Sequence, residues 1–118
     1  MQRIKLVLIF SVLCLAILAT PMVTATSLKT TAATVNISNF QFAPKVLQVK
    51  VGTTVMWVNN EGTHTVTADN GAFASDNLAA GQNFTFTFTK PGTYRYYCSL
   101  HGSKGGGDMS GTIKVTRQ

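Results

Sequence analysis

Apolar and polar residues alternate along most of this chain. Bursts of period two recur as TVNISNFQF, KVLQVKVG, TTVMWVNN, HTVTAD, NFTFTFT, TYRYYC and GTIKVT, each rich in β-branched or aromatic residues and bounded by Gly, Pro or Asn. Runs of this length and punctuation predict strands, and their number predicts an all-β sandwich or barrel, with at most a helical turn near DNLAAG. The clearest alternation sets Phe84, Phe86 and Phe88 against Thr85, Thr87 and Thr89, which puts three rings on one face and three hydroxyls on the other. With Val35, Ile37, Val49, Val51, Val55, Trp57, Ile113 and Val115 these rings supply a sandwich core, and Met56 beside Trp57 reads as packing. In KPGTY, Pro91 presets a turn dihedral and Gly92 permits positive φ, so a turn precedes the strand that delivers Cys98 at its end. Tyr94 is placed to act as a tyrosine corner at the entry to that strand.

The first residues break this pattern. MQRIK is basic, LVLIFSVLCLAILA is apolar, and Pro21 precedes a small-residue stretch with a Val23-Thr24-Ala25 cleavage site, which is the three-part order of a secretory signal. The absence of charge between Lys5 and Lys29 also permits an uncleaved N-terminal anchor, although the strongly apolar core is of signal length. Either way the remainder is exported to a periplasmic or other extracytoplasmic space. The chain divides into residues 1–25 as signal or anchor, 26–34 as a Thr/Ala-rich linker and 35–118 as one small domain. Cys14, preceded by Leu13, reads as a hydrophobe of the apolar run.

Charge narrows the partners. Of ten Lys/Arg, Arg3 and Lys5 belong to the signal; the other eight face four Asp/Glu and are scattered. With no basic run and no aromatic-basic stripe, nucleic-acid binding is not expected. The positive excess can steer an acidic partner. Asn36-Ile37-Ser38 and Asn83-Phe84-Thr85 match glycosylation acceptors formally, but both fall in predicted strands.

Once the signal is set aside, Cys98 is the only cysteine, in a compartment where small domains normally pair theirs. Something must occupy that thiol. The exported part also holds His64, His101 and Met109, all in loops or at strand ends. Each alone has an ordinary reading: surface-loop histidines, a strand-start methionine, a small buried thiol. Jointly they make the ligand set of a blue-copper site, a soft thiolate that holds Cu(I), two imidazoles that serve both oxidation states, and a distant thioether that tunes the potential. Two residues separate Cys98 from His101, so one tight turn can aim both at one metal. Zinc also accepts Cys and His, but closed zinc sites use more thiolates and a thioether ligates zinc poorly.

The order of these motifs resembles the cupredoxins, in particular the small plastocyanin, amicyanin and pseudoazurin-like group. The resemblance covers residues 35–117, through FQFAPKVLQVKVGTTVMWVNNEGTHTVTAD and LAAGQNFTFTFTKPGTYRYYCSLHGSKGGGDMSGTIKV. It implies a Greek-key β-sandwich of seven to eight strands, and one copper per chain held by His64, Cys98, His101 and, axially, Met109. It also implies an electron port at the exposed edge of His101, with Leu100 and Gly102 nearby. Two departures stand out. GSKGGGD places seven residues between His101 and Met109 where small cupredoxins have three or four, and it reads as a glycine-rich bulge that returns Met109 to the copper. Thr65 follows the first histidine where plastocyanin-like chains often carry Asn, and its hydroxyl can link the ligand loops together with Ser99.

The expected activity is single-electron carriage between a donor and an acceptor redox protein, with no catalysis, since packing around the copper leaves no open coordination position. Copper delivery, motivated by the glycine-rich loop, and a small copper redox enzyme, opened by a displaced Met109, are the competing classes. Nothing demands more than a monomer, and membrane contact is expected only if the N-terminal segment is retained.

Overall fold

The computed structural model describes residues 16–25 and 31–118. Residues 1–15, with Cys14, and residues 26–30 lie outside the described residues, and with them most of the expected signal and linker. Residues 16–25 are exposed and carry no regular structure, and among the described residues no helix is long and apolar enough to cross a membrane.

Eight strands form two four-stranded sheets. They are β1 (Ala32–Ser38), β2 (Gln41–Ala43), β3 (Val46–Lys50), β4 (Thr54–Asn59), β5 (Thr67–Ala68), β6 (Asn83–Thr87), β7 (Gly92–Ser103) and β8 (Gly107–Thr116). One sheet runs β2-β1-β4-β6 and the other β3-β8-β7-β5, so the chain crosses repeatedly between the layers. The neighbouring pairs β1 with β4 and β3 with β8 are parallel. The all-β sandwich stands as the alternation predicted it. Residues 76–81, read as at most a helical turn, instead hold an isolated bridge at Leu78 and a turn.

Two segments differ from the sequence reading in an informative way. β1 begins at Ala32, three residues ahead of the expected boundary at 35, because Ala32–Thr34 find backbone partners in Thr54–Met56. TVNISNFQF is two strands rather than one. Val35 and Ile37 are buried from β1, yet the next buried residue is Phe42, an odd-to-even phase slip that a single strand cannot make. The slip is absorbed by a two-residue turn at Asn39 and Phe40, both at positive φ, between the paired Ser38 and Gln41.

The core lies between the sheets. Val35, Ile37, Val55, Trp57, Phe88 and Ile113 are fully buried, and Phe84 and Phe86 pack against them while Thr85 and Thr87 face outward. Met56 lies on the outer face of β4, half buried. The Tyr94 hydroxyl donates to the Lys90 carbonyl at 2.9 Å, which is the corner expected, and Gly92 takes a φ of 152° at the turn before it.

Tyr96 is buried against Trp57, its ring 5.5 Å away and nearly perpendicular, and Gly111 leaves the space its phenol occupies. Burial pushes that phenol up from 10.0 to about 12. The folded pKa is raised, so the linked stability is complete below pH 10 and is lost as pH rises toward 12, by ~2–3 kcal/mol in all. A spectrophotometric tyrosinate titration should show one phenol that ionises only as the protein unfolds. A Tyr96 that ionises near 10 in the folded state would contradict this.

Candidate metal centre

The two sheets bring four separate parts of the chain to one end of the sandwich. His64 sits just beyond β4, where its backbone N–H donates to the Leu78 carbonyl at 3.1 Å and its carbonyl accepts from Leu78 N–H at 2.8 Å. Asn59, the last residue of β4 and fully buried, donates its amide to the carbonyls of Gly62 (2.8 Å) and Leu78 (2.9 Å). A polar side chain without solvent thus fixes both flanks of the His64 loop. Burial first, then the adjacent His101, lowers the His64 imidazole below its ordinary 6.5, so near neutral pH it is uncharged with a free lone pair.

Cys98 and His101 come from a break in the β7–β8 ladder. Tyr97 pairs with Ser110 and Gly102 with Asp108, so the four residues Cys98–His101 stand opposite Met109 alone. A bulge of this kind bends the strand and re-aims its side chains. Cys98 is fully buried while His101 is exposed. Cys98 Sγ lies 3.5 Å from His101 Nδ1 and 3.8 Å from His64 Nδ1, and the two Nδ1 atoms are 3.2 Å apart. Metal bonds of about 2.0 Å to nitrogen and about 2.3 Å to sulfur reach all three corners of such a triangle from its middle. One cysteine sulfur and two imidazoles, with no carboxylate among them, suit a soft mononuclear ion.

GSKGGGD is not a bulge. β7 continues through Gly102 and Ser103, turns at 104–106 and returns as Gly107 and Asp108 in register, so the additional residues lengthen a hairpin. Gly105 and Gly106 take φ of 95° and 93° at the tip, and Gly105 N–H donates to Asp69 Oδ2 at 2.9 Å. The regular hairpin therefore returns β8 to the break, where Met109 stands between the paired Asp108 and Ser110. Met109 is buried, and it shares with His101 the wall of a cavity of about 700 Å³. Gly102, half buried, lies with its Cα against the Met109 backbone.

Thr65 and Ser99 are in contact. Thr65 Oγ1 and Ser99 Oγ are 2.9 Å apart, Ser99 N–H donates to Thr65 Oγ1 at 2.8 Å, and Thr65 N–H donates to Cys98 Sγ at 3.4 Å. The two ligand loops are thus linked through hydroxyls and the sulfur has a donor of its own. Leu100, next to His101 in sequence, is 48% exposed. The sequence reading missed Phe40, 63% exposed and edge-on to both histidine rings. Its signal was the phase slip at Asn39.

A two-layer β-sandwich with one buried cysteine sulfur and two imidazoles at its end defines a mononuclear copper protein, one copper per chain. The chain belongs to the family of copper binding proteins of the plastocyanin/azurin type, whose family model matches residues 29–116. It is 38% identical over 86 residues to plastocyanin from Scenedesmus fuscus, across 63% of this chain and 85% of that one. It is 36% identical over 76 residues to amicyanin from Paracoccus denitrificans, across 59% of this chain and 58% of that protein. Several relatives are thus matched over little more than half their length. Among solved structures, a copper-containing nitrite reductase from Thermus scotoductus aligns at 34% identity and a TM-score of 0.66, over 81% of this chain and 25% of that one.

Proposed function

We propose that this chain is an exported carrier of single electrons, its copper bound by His64, Cys98 and His101 with Met109 as a weak axial ligand. The observation that carries this is the convergence of two Nδ1 atoms and one buried Sγ, all within 4.8 Å, in a family typified by plastocyanin and azurin. Copper supplies a one-electron couple when bound. The protein's part is to keep the geometry similar in both oxidation states: Asn59 and Leu78 fix the His64 backbone, Thr65 donates to the sulfur, and the β7 bulge holds Cys98 and His101 together. His101 reaches the surface beside Leu100, with Gly102 next in sequence, which makes this edge the port for a donor and an acceptor protein. The net positive charge favours acidic partner surfaces. Export, by a cleaved or retained segment within residues 1–25, rests on the basic, apolar and small-residue order there.

Copper delivery was motivated by a loose glycine-rich loop, and the paired hairpin with its Asp69 tether removes that motive. The likeness to a nitrite reductase is confined to a quarter of that chain, so the carrier reading is preferred to an enzymatic one.

One equivalent of Cu(II) should produce an intense orange-red absorption, giving a blue or green protein, with narrow copper hyperfine splitting in the electron paramagnetic resonance spectrum. Met109→Gln should keep copper and colour but alter the splitting and lower the potential, because a harder oxygen donor favours Cu(II) over a thioether. Identical spectra and potential in Met109→Gln would remove Met109 from the ligand set. No thiolate-to-copper band in the parent protein would defeat the carrier reading altogether.

A further inference from the structure

The turn between β1 and β2 holds a residue that its backbone disfavours. Asn39 and Phe40 have φ of 50° and 57°, the left-handed pair of a two-residue hairpin, for which Asn-Gly is the favoured sequence. Asn tolerates that conformation. A bulky aromatic side chain at positive φ is an outlier. Core burial does not compensate, since Phe40 is 63% exposed. What Phe40 does contact is the metal centre. Its ring stands edge-on to His101, centroids 4.9 Å apart at 81°, and to His64 at 5.7 Å and 88°. The two imidazoles are themselves 4.9 Å apart at 61°, so the three rings form one cluster. The turn is pinned to the His64 loop, because Asn39 N–H donates to the Glu61 carboxylate. Phe40 also joins His101 and Met109 in lining the cavity beside the centre.

We propose that Phe40 is a positioning residue that wedges the exposed His101 ring into its ligand pose and closes the solvent side of the copper, a role for which the chain retains a strained turn. This rests on the copper reading above for its second half. The first half concerns only the rings and holds for the metal-free protein. His64 is already fixed by Leu78 and Asn59 through its backbone, whereas His101, exposed at the end of the bulge, depends on its neighbours for ring orientation. Local strain that persists beside a functional site is expected where the surrounding contacts repay it.

The test compares the full chain with Phe40→Gly and Phe40→Leu. In Phe40→Gly, the metal-free protein should melt at the same temperature or higher, since the turn becomes Asn-Gly, while ring relaxation by nuclear magnetic resonance shows His101 newly mobile. Loaded with copper, the same variant should lose Cu(I) to a chelator about ten-fold faster, the scale of two lost aromatic contacts. Phe40→Leu, which keeps bulk without a ring edge, should fall between. An ordered His101 ring in Phe40→Gly, or an unchanged Cu(I) loss, overturns the proposal. A melting temperature that drops in step with faster loss also overturns it, because Phe40 would then serve the fold alone. If the parent chain binds no copper, the copper assignment fails while ring mobility in the metal-free proteins still decides the role of Phe40.

Discussion

Cys98→Ser abolishes the intense visible band and weakens copper binding by more than the ~10–100-fold that loss of an outer hydrogen-bond partner costs, yet leaves the metal-free protein folded. The sulfur is the one ligand atom here whose charge transfer to copper gives strong colour, and a serine hydroxyl is harder, carries its proton at neutral pH and reaches less far from Cβ. The fold tolerates the exchange because the buried oxygen inherits partners. Thr65 N–H already points at position 98, and two imidazole nitrogens stand 3.5 and 3.8 Å from the sulfur. A melting temperature within a few degrees of the parent, together with complete loss of colour, separates a ligand role from a packing one. Colour that survives in Cys98→Ser would mean that the thiolate is not bound to the metal.

The second large effect is at Gly102→Ala. A Cβ there would overlap the Met109 carbonyl oxygen and come within 3.0 Å of its carbon and 3.1 Å of its nitrogen. These atoms belong to β8 itself, so no side chain can rotate away and the strands must separate. Overpacking of this kind costs about 1–3 kcal/mol, and a backbone obstacle puts it toward the upper end. For a domain of this size the melting temperature should drop by ~10–20 °C. The same separation moves Met109 relative to His101, while Cys98 and His101 stay on β7. Copper should therefore still bind through the thiolate with an altered spectrum. A Gly102→Ala protein with parental stability would show that β7 and β8 approach less closely than described. Parental spectra despite lost stability would dissociate Met109 from the copper.

Gly102 illustrates how differently the two kinds of information speak about one residue. From sequence it belonged to the surface near the exposed histidine. In the fold its lack of a side chain is what lets β8 pass, and this depends on a register that only pairing defines. The seven residues GSKGGGD illustrate the same limit. Glycine content fits a bulge and a hairpin tip equally well, and the choice was made by Asp69, thirty-six residues from Gly105 in sequence, whose carboxylate accepts from the tip. The irregularity that matters lies four residues earlier, at Cys98–His101, in a stretch of ordinary strand composition.

Other features were open to reading because they depend on short-range physics. Alternation at period two, with Phe84, Phe86 and Phe88 on one side, placed the core correctly, since a strand that buries one face must alternate. The spacing of Cys98 and His101 and the scarcity of other thiols point to a single metal, and the hydroxyls of Thr65 and Ser99, each next to a candidate ligand in sequence, lie 2.9 Å apart. Phe40 was within reach too, since the shift from buried Val35 and Ile37 to buried Phe42 requires a turn between them.

By itself, then, the sequence determined the fold class, the core face of strands such as β4 and β6 and the chemistry of the donor set, because periodicity and ligand type are properties of residues and their near neighbours. Tertiary structure alone decided which backbone breaks re-aim the ligands, how β8 carries Met109 past Gly102, and that an exposed Phe40 lies across both imidazoles. Those depend on pairing between segments far apart in the chain, where the energy of each contact is set by a partner that no local pattern names.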